Sequence, residues 1–148
     1  MAFLGTFPVG DCVIKINTSG SSSAMTPIAE LEEMGISIEG NVEKWNVIGN
    51  GGWQSALMTG KGYSFEMKGK RSVGDAGNDY VAGLAWKTGR DCNSTASIEF
   101  PDKSKLEFSC VVDVTNIGGG SATTVAPLEF TLHGVGKPTW TDAPGDPS

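Results

Sequence analysis

Residues 46–60, NVIGNGGWQSALMTG, carry no charge, although they join two segments whose alternation indicates paired β-strands. Ordinary hairpin connections are about 2–5 residues long and polar. This connector is longer, rich in glycine and apolar, and exposed apolar patches usually mark contact surfaces on soluble proteins. We therefore expect the rest of the chain or another copy to cover it. The predicted contact residues are Val47, Ile48, Trp53, Leu57 and Met58.

The segments on both sides of the connector alternate between apolar and polar residues. Ile36, Ile38 and Val42 fall on one face of the first segment, and the second segment repeats the pattern. A period of two is typical of a half-buried strand, so the connector joins a pair that is most simply antiparallel. Residues 27–34 fit either a helical turn or the acidic start of the first long strand. Strands are predicted at 12–17, 36–45, 62–70, 95–100, 106–115 and 125–133.

One helix is predicted, over about residues 76–87. Asp75 is a suitable N-cap, and Asp79 places negative charge in the first turn, where the helix dipole favours it. Gly89 is a suitable stop after the last turn. With many short strands and 21 glycines in 148 residues, the chain is predicted to be mainly β. The expected architecture is an antiparallel β-sandwich or barrel with this one flanking helix.

The length of 148 residues predicts a single domain. Residues 1–10 are expected to form an extended N-terminal arm, residues 18–24 a small-residue loop, and residues 136–148 a loosely held C-terminal tail. The formal net charge of −6 argues against electrostatic binding to a phosphate backbone, which needs clustered lysine and arginine.

The chain lacks the side chains that catalysis requires. Its one histidine, His133, falls on the outward face of a predicted strand, and Cys12, Cys92 and Cys110 do not form a CxxC spacing. No nucleophile elbow, HExxH or phosphate-binding loop motif is present. Asp75 and Asp79 fit helix capping better than a Ca²⁺ loop. We therefore predict no enzyme activity, no cofactor and no metal site, and no apolar run approaches the ~18 residues of a membrane span.

Aromatic and basic residues admit two interpretations. Trp45, Trp86 and Phe100 are predicted to lie in the core, whereas Trp53 is predicted to anchor a subunit contact, because tryptophan is enriched among such anchors. A basic group either pairs with acids at residues 30–43 of a neighbouring copy or forms a solvated strand edge. Its members are Lys61, Lys68, Lys70 and Arg71.

Three motifs give the chain a resemblance to a known family. EKWN stands at 43–46, GGWQSALMTGK at 51–61 and GDAGNDYVAGL at 74–84, and a closing β-hairpin follows. Their order and spacing resemble the major tail tube proteins of long, non-contractile-tailed bacteriophages. The resemblance spans roughly residues 29–139.

The resemblance implies a structural virion protein. In that family six copies form a ring, rings stack into a hollow tube that conducts DNA during ejection, and strands of neighbouring copies join into one inner barrel. Residues 46–60 match the family's stacking loop. The implied partners are further copies of the chain and the tape-measure, tail-tip and tail-terminator proteins. The implied location is the virion tail, assembled in the host bacterial cytoplasm.

DNA must pass such a lumen without sticking, and a polar, acidic wall repels phosphate. Some of the strand acids are therefore expected to line the channel, while others lie outside it. The candidates are Glu39, Glu43, Glu66, Asp113 and Glu129.

Two alternatives remain at this level. The first is the tube protein of a contractile tail or of a type VI secretion system, which works inside a sheath. The second is a monomeric β-sandwich binding module, for instance for carbohydrate, which would expose aromatic residues along a groove and pack its connector tightly.

Overall fold

The structure, a computed structural model, describes residues 5–18 and 25–142. The strands are β1 (Val13–Asn17), β2 (Met25–Pro27), β3 (Leu31–Asn46), β4 (Gln54–Lys70), β5 (Asn93–Glu99), β6 (Lys105–Ile117) and β7 (Pro127–Thr141). The helix α1 spans Ala76–Gly83, and short 3₁₀ turns lie at Val9–Asp11 and Gly89–Cys92.

All seven strands pair antiparallel in one sheet, in the order β2-β1-β5-β6-β7-β4-β3. The predicted fold class, mainly β and antiparallel with one flanking helix, is confirmed. The sheet stays open and has β2 and β3 at its two edges, so the described chain does not close a barrel by itself. Most of the predicted arm at 5–10 is described, whereas residues 1–4, 19–24 and 143–148 lie outside the described part.

The longest strands, β3 and β4, form a hairpin that extends past the rest of the sheet. β7 pairs with β4 only over Ser64–Lys70, so the half of the hairpin nearer the turn has no third strand. The two strands stay in register from Asn46 opposite Gln54 onward, apart from two bulges, where Thr59 is an extra residue on β4 and Glu32 is an extra residue on β3. β3 begins at Leu31. Of the two predictions for residues 27–34, the acidic start of a long strand is therefore correct and the helical turn is wrong.

The connector is shorter than predicted. Only the residues from Val47 to Trp53 join the strands, because Gln54–Gly60 already pair with β3. The sequence pattern did not reveal this part of β4, because the bulge at Thr59 interrupts the alternation of faces. Met58 therefore lies on the same face as Tyr63, although they are five positions apart in the sequence.

The core lies between α1 and one face of the sheet, here called the helix-side face. Phe65, Met67 and Leu132 on the sheet meet Val81 and Leu84 from the helix region, and all are almost fully buried. Burial of these apolar side chains is the main stabilising contribution to such a fold.

A buried amide ties the start of the helix to the end of β4. Asn78 is fully buried and donates to the carbonyl oxygens of Ala29 and Lys70, at 3.1 and 2.9 Å. Its Oδ1 accepts from the backbone N–H of Ser72 and from Nη1 of Arg71, at 3.0 and 2.8 Å. All four hydrogen-bonding positions of the side chain are thus filled, which fixes the helix over the sheet.

The N-cap prediction for the helix is confirmed, and its C-terminal boundary is wrong. Asp75 accepts from the backbone N–H of Asn78 at 3.0 Å. The helix ends at Gly83 instead of residue 87, since glycine is costly inside a helix and Leu84 closes the last turn with bonds to the carbonyls of Val81 and Ala82.

Two of the three aromatic residues predicted in the core are exposed. Trp86 lies in the turn after the shortened helix and is 87% exposed. Trp45 is 44% exposed because it lies near the hairpin turn, beyond the part of the sheet that the helix covers. Phe100 is partly buried and packs against the core.

Part of the predicted loose tail is a strand. β7 continues to Thr141, and its last residues pair with Lys105–Glu107 at the start of β6. A register irregularity between Val135 and Thr139 accommodates Pro138, which has no N–H to offer a regular ladder.

Candidate assembly interface

The strand register places all five candidate acids on the same face of the sheet, opposite the helix. Glu66 pairs with Thr131, which pairs with Asp113. Glu129 pairs with Lys68, two residues along the strands from the pair Glu66–Thr131, and therefore lies on the same face. The remaining two, Glu39 and Glu43, follow by alternation along β3, since Glu39 pairs with Gly62. We call this surface the acid face: Glu39, Glu43, Glu66, Asp113 and Glu129.

A sixth carboxylate, Glu33, belongs to the acid face and was not predicted. It pairs with Lys68, two positions from Glu66, because Glu32 is an extra residue in the ladder between Leu31 and Glu33. The alternation of β3 is interrupted at that point, which hides the position of Glu33 in the sequence.

Basic groups on this face are outnumbered and paired. Lys68 Nζ lies 3.3 Å from a carboxylate oxygen of Glu66, and this hydrogen bond, with the charges of Glu66, Glu129 and Glu33, raises the pKa of the lysine. His133 Nε2 lies 3.6 Å from Oδ2 of Asp113. The acid face therefore carries a net negative charge when its carboxylates are ionised.

The basic group predicted to reach a neighbouring copy is mostly paired within the chain. Lys70 Nζ lies 2.7 Å from Glu32, and Arg71 Nη1 lies 2.7 Å from Asp79. Lys61, in contrast, lies opposite Gly40 on the helix-side face of the projecting hairpin. These pairs favour a structural role for Lys70 and Arg71.

The five predicted contact residues are all exposed on the hairpin, and they point in different directions. Val47, Ile48 and Trp53 occupy the turn, with exposed fractions of 49%, 102% and 78%. Leu57, opposite Glu43, lies on the side of the acid face, whereas Met58, opposite Val42, lies on the helix side. The structure brings them together as one projecting tip that the described part of the chain leaves uncovered.

The tip has a defined conformation. Asn50 donates from Nδ2 to the carbonyl of Trp53 at 2.9 Å, and Asn46 donates to the carbonyl of Gly52 at 3.2 Å. Positive φ angles at Gly49, Gly51 and Gly52 allow the tight reversal. The apolar side chains of the tip are therefore presented on an ordered turn.

Besides the short edge strand β2, two longer strand edges are open. β3 lies at the end of the sheet and has no partner along its outer side among the described residues. β6 loses its partner β5 after Val111, which is opposite Asn93. Open edges are pairing sites for another chain. The sequence indicated the first edge only indirectly and gave no signal for the second.

Within residues 5–18 and 25–142, no group of three or more metal-ligating side chains comes together. Over the same ranges, no helix is long and apolar enough to cross a membrane.

Neither the family models nor the curated proteins contain a match to this sequence. Solved structures do match. A chain in the tail of an empty gene transfer agent particle, determined with C6 symmetry, superposes with a TM-score of 0.75 at 18% identity, over 93% of this chain and all of that chain. The chain therefore has a tail tube fold. A chain of the native gene transfer agent virion agrees, with a TM-score of 0.71 at 17% identity and the same coverage. The predicted resemblance to tail tube proteins is confirmed at the level of fold.

Proposed function

We propose that this chain is the repeating subunit of a phage-like tail tube, in which rings of six copies stack into a hollow cylinder that conducts DNA. The observation that carries the proposal is the separation of surfaces on one sheet: the acid face is continuous, while the open edges and the apolar tip are left for other copies. The C6 symmetry of the structurally similar tail supports six copies per ring.

The acid face suits the wall of a DNA channel. Over β3, β4, β6 and β7, the six carboxylates and Glu107 outnumber the basic groups of the same face, and each basic group pairs with a carboxylate. These basic groups are Lys68, Lys70, Lys105 and His133. A negative wall repels phosphate and withholds the lysine and arginine contacts through which proteins retain DNA. Turning this face inward in every copy would line the lumen with it.

The hairpin tip suits stacking between rings. Trp53 and Ile48 are the most exposed apolar side chains of an ordered turn that projects past the sheet. An apolar patch of this kind is stabilised by burial against a second protein surface. In the proposed tube, the tip of one ring is covered by the adjacent ring.

The proposal extends to partners and location. Growth would start at a tail-tip or tape-measure protein, stop at a tail-terminator protein, and take place in the host bacterial cytoplasm before the tube becomes part of the virion tail. Before nucleation the chain would be monomeric, with its edges unpaired.

Electron microscopy of the concentrated protein, alone and with tail tips from the same particle, tests the proposal. Hollow tubes or six-fold rings are expected. A protein that stays monomeric under both conditions contradicts it.

A pair of variants separates stacking from ring formation. Trp53→Ser should leave rings but shorten or abolish tubes. Val73→Ser is the matched control, because Val73 is equally exposed (84%) but lies away from the hairpin. Normal tubes from Trp53→Ser would contradict the stacking role of the tip.

A further inference from the structure

We infer that Trp86 is a clamp between neighbouring copies in a ring: it packs on Ile36 and Ile38 of the next copy, whose β3 pairs with the open edge of β6. This inference rests on the proposed tube and names the contact that would close its rings. It is carried by strand polarity, by grooves along β6, and by two sets of exposed apolar side chains on the same side of the sheet.

Strand polarity permits the pairing. β6, β7, β4 and β3 are consecutive in the sheet, and each runs antiparallel to the next, so β3 runs opposite to β6. Rotation about a tube axis leaves the direction of every strand along that axis unchanged. The β3 edge of one copy therefore meets the β6 edge of the next in antiparallel orientation, and the acid faces of both copies remain on the same side.

The open edge of β6 has room for a strand. Two grooves lie along the part of β6 that β5 does not reach. One, of about 330 Å³, is lined by Ala85, Trp86 and Val114–Ile117, and the other, of about 340 Å³, by the residues after α1 and Val111–Val114. The segment after the helix thus forms an overhang beside unpaired backbone, the arrangement in which an added strand gains main-chain hydrogen bonds and side-chain contacts together.

The apolar side chains on the two edges match in position. Ile36 and Ile38 lie on the helix-side face of β3, opposite Phe65 and Tyr63, yet they are 47% and 69% exposed because α1 does not reach them. Trp86 follows α1 on the same side of the sheet, and its side chain is almost fully exposed to solvent. Pairing of the two edges would bring these side chains together. Each would then be buried against the neighbouring copy, whereas all three are exposed in the single copy.

Crosslinking tests the contact directly. In a Cys12→Ser background, where Cys92 and Cys110 are buried, protein carrying Trp86→Cys is mixed with protein carrying Ile38→Cys and treated with a short bis-maleimide under assembly conditions. A crosslinked dimer is expected only in the mixture. The matched control is Ser37→Cys, the neighbouring exposed residue on the opposite face of β3, which should crosslink at least 10-fold less, on the order of the background.

Side-chain substitutions provide a second readout. Trp86→Phe should retain ring formation, whereas Trp86→Gln should raise the protein concentration needed for rings by on the order of 10-fold, as expected when an apolar anchor is lost at an interface. The melting temperature of the monomer should stay the same in both variants, since Trp86 is exposed.

The outcomes distinguish the two proposals. Tubes that form while Trp86→Cys fails to crosslink to Ile38→Cys, or crosslinks equally to Ser37→Cys, overturn the clamp and leave the tube intact. A protein that forms neither rings nor tubes overturns both. Unchanged ring formation by Trp86→Gln also counts against the clamp.

Discussion

The ring of Tyr63 lies over the backbone of Gly134 and fills the space that any side chain at residue 134 would need. The two residues are neighbours across β4 and β7, one step beyond the pair Ser64 and His133. Gly134→Ala should therefore destabilise the fold by about 1–3 kcal/mol, the usual cost of overpacking. Chemical denaturation of the monomer measures this. Gly62→Ala, where no atom lies near the added methyl group, is the control and should cost less than about 1 kcal/mol.

The hydroxyl of Tyr63 is buried and has no hydrogen-bond partner in the described structure. Burial, with a smaller effect from Cys110, raises the pKa of this phenol. Because an unpaired buried polar group is unfavourable, Tyr63→Phe should be neutral or stabilise the protein by up to about 1 kcal/mol. Thermal unfolding checks this. A loss of stability would indicate that the hydroxyl has a partner, for example a buried water molecule.

Asn78 is the polar residue on which the position of the helix depends. Asn78→Ala should destabilise the monomer by about 2–4 kcal/mol, because it leaves several buried groups without partners. Asn116→Ala is the control: its amide also binds backbone groups, at Gly118 and Gly119, but the residue is only partly buried and these hydrogen bonds are exposed to water. An equal effect of the two substitutions in denaturation experiments would contradict the importance of burial at Asn78.

The pair Arg71–Asp79 predicts a pH dependence. The hydrogen bond from Arg71, helped by one from the backbone of Gly74, lowers the pKa of Asp79. A carboxyl group with a lowered pKa stabilises the fold above its unfolded pKa of about 3.9, and this contribution is lost as the pH falls through the folded value. Asp79→Asn should therefore lower the denaturation midpoint at pH 6 and have a smaller effect at pH 2–3.

Glu39→Gln is the control for that pH series, since Glu39 is exposed on the projecting hairpin. Its effect on the midpoint should be small at both pH values. A difference between wild type and Asp79→Asn that stays constant from pH 6 to pH 2 would contradict the electrostatic explanation.

Charge reversal tests the acid face. Tubes assembled from the triple variant Glu66→Lys, Asp113→Lys and Glu129→Lys should retain double-stranded DNA at low salt, while wild-type tubes should not. The affinity should fall steeply with salt, with a logarithmic slope of about −0.9 for each phosphate contacted. Gel-shift or co-sedimentation assays over a salt series measure this.

A variant with the same charge change elsewhere is the control for the DNA experiment. Asp11, Asp91 and Asp142 are exposed carboxylates outside the acid face. Their replacement by lysine should leave DNA inside the tube free to move. Strong DNA retention by wild-type tubes would contradict a lumen lined by the acid face.

The sequence predicted most of the local structure because local patterns carry it. Alternation located every strand except the short β2, and Asp75 located the helix start. The errors have local causes too: a single extra residue at Thr59 hid the first part of β4, and Gly83 ended the helix before Trp86, which was therefore wrongly assigned to the core.

The candidate site was harder to predict because it depends on pairing between distant strands. Glu66 and Asp113 share a face only through the register of β4, β7 and β6. Likewise, the open edge of β6 exists because β5 begins at Asn93, and no residue within β6 signals this. The exposed tip, in contrast, was predictable, because a long uncharged connector already distinguishes it.

The extra residue in β4 has one more consequence. Asn41 pairs with Gly60 and Val42 with Met58, so deleting Thr59 would leave every cross-strand pair on both sides in place. Bulges bend a strand and increase its local twist. One codon therefore controls the bend of the hairpin separately from its pairing, and shortening the gene at that codon would change the angle at which the tip leaves the sheet without moving any side chain to the other face.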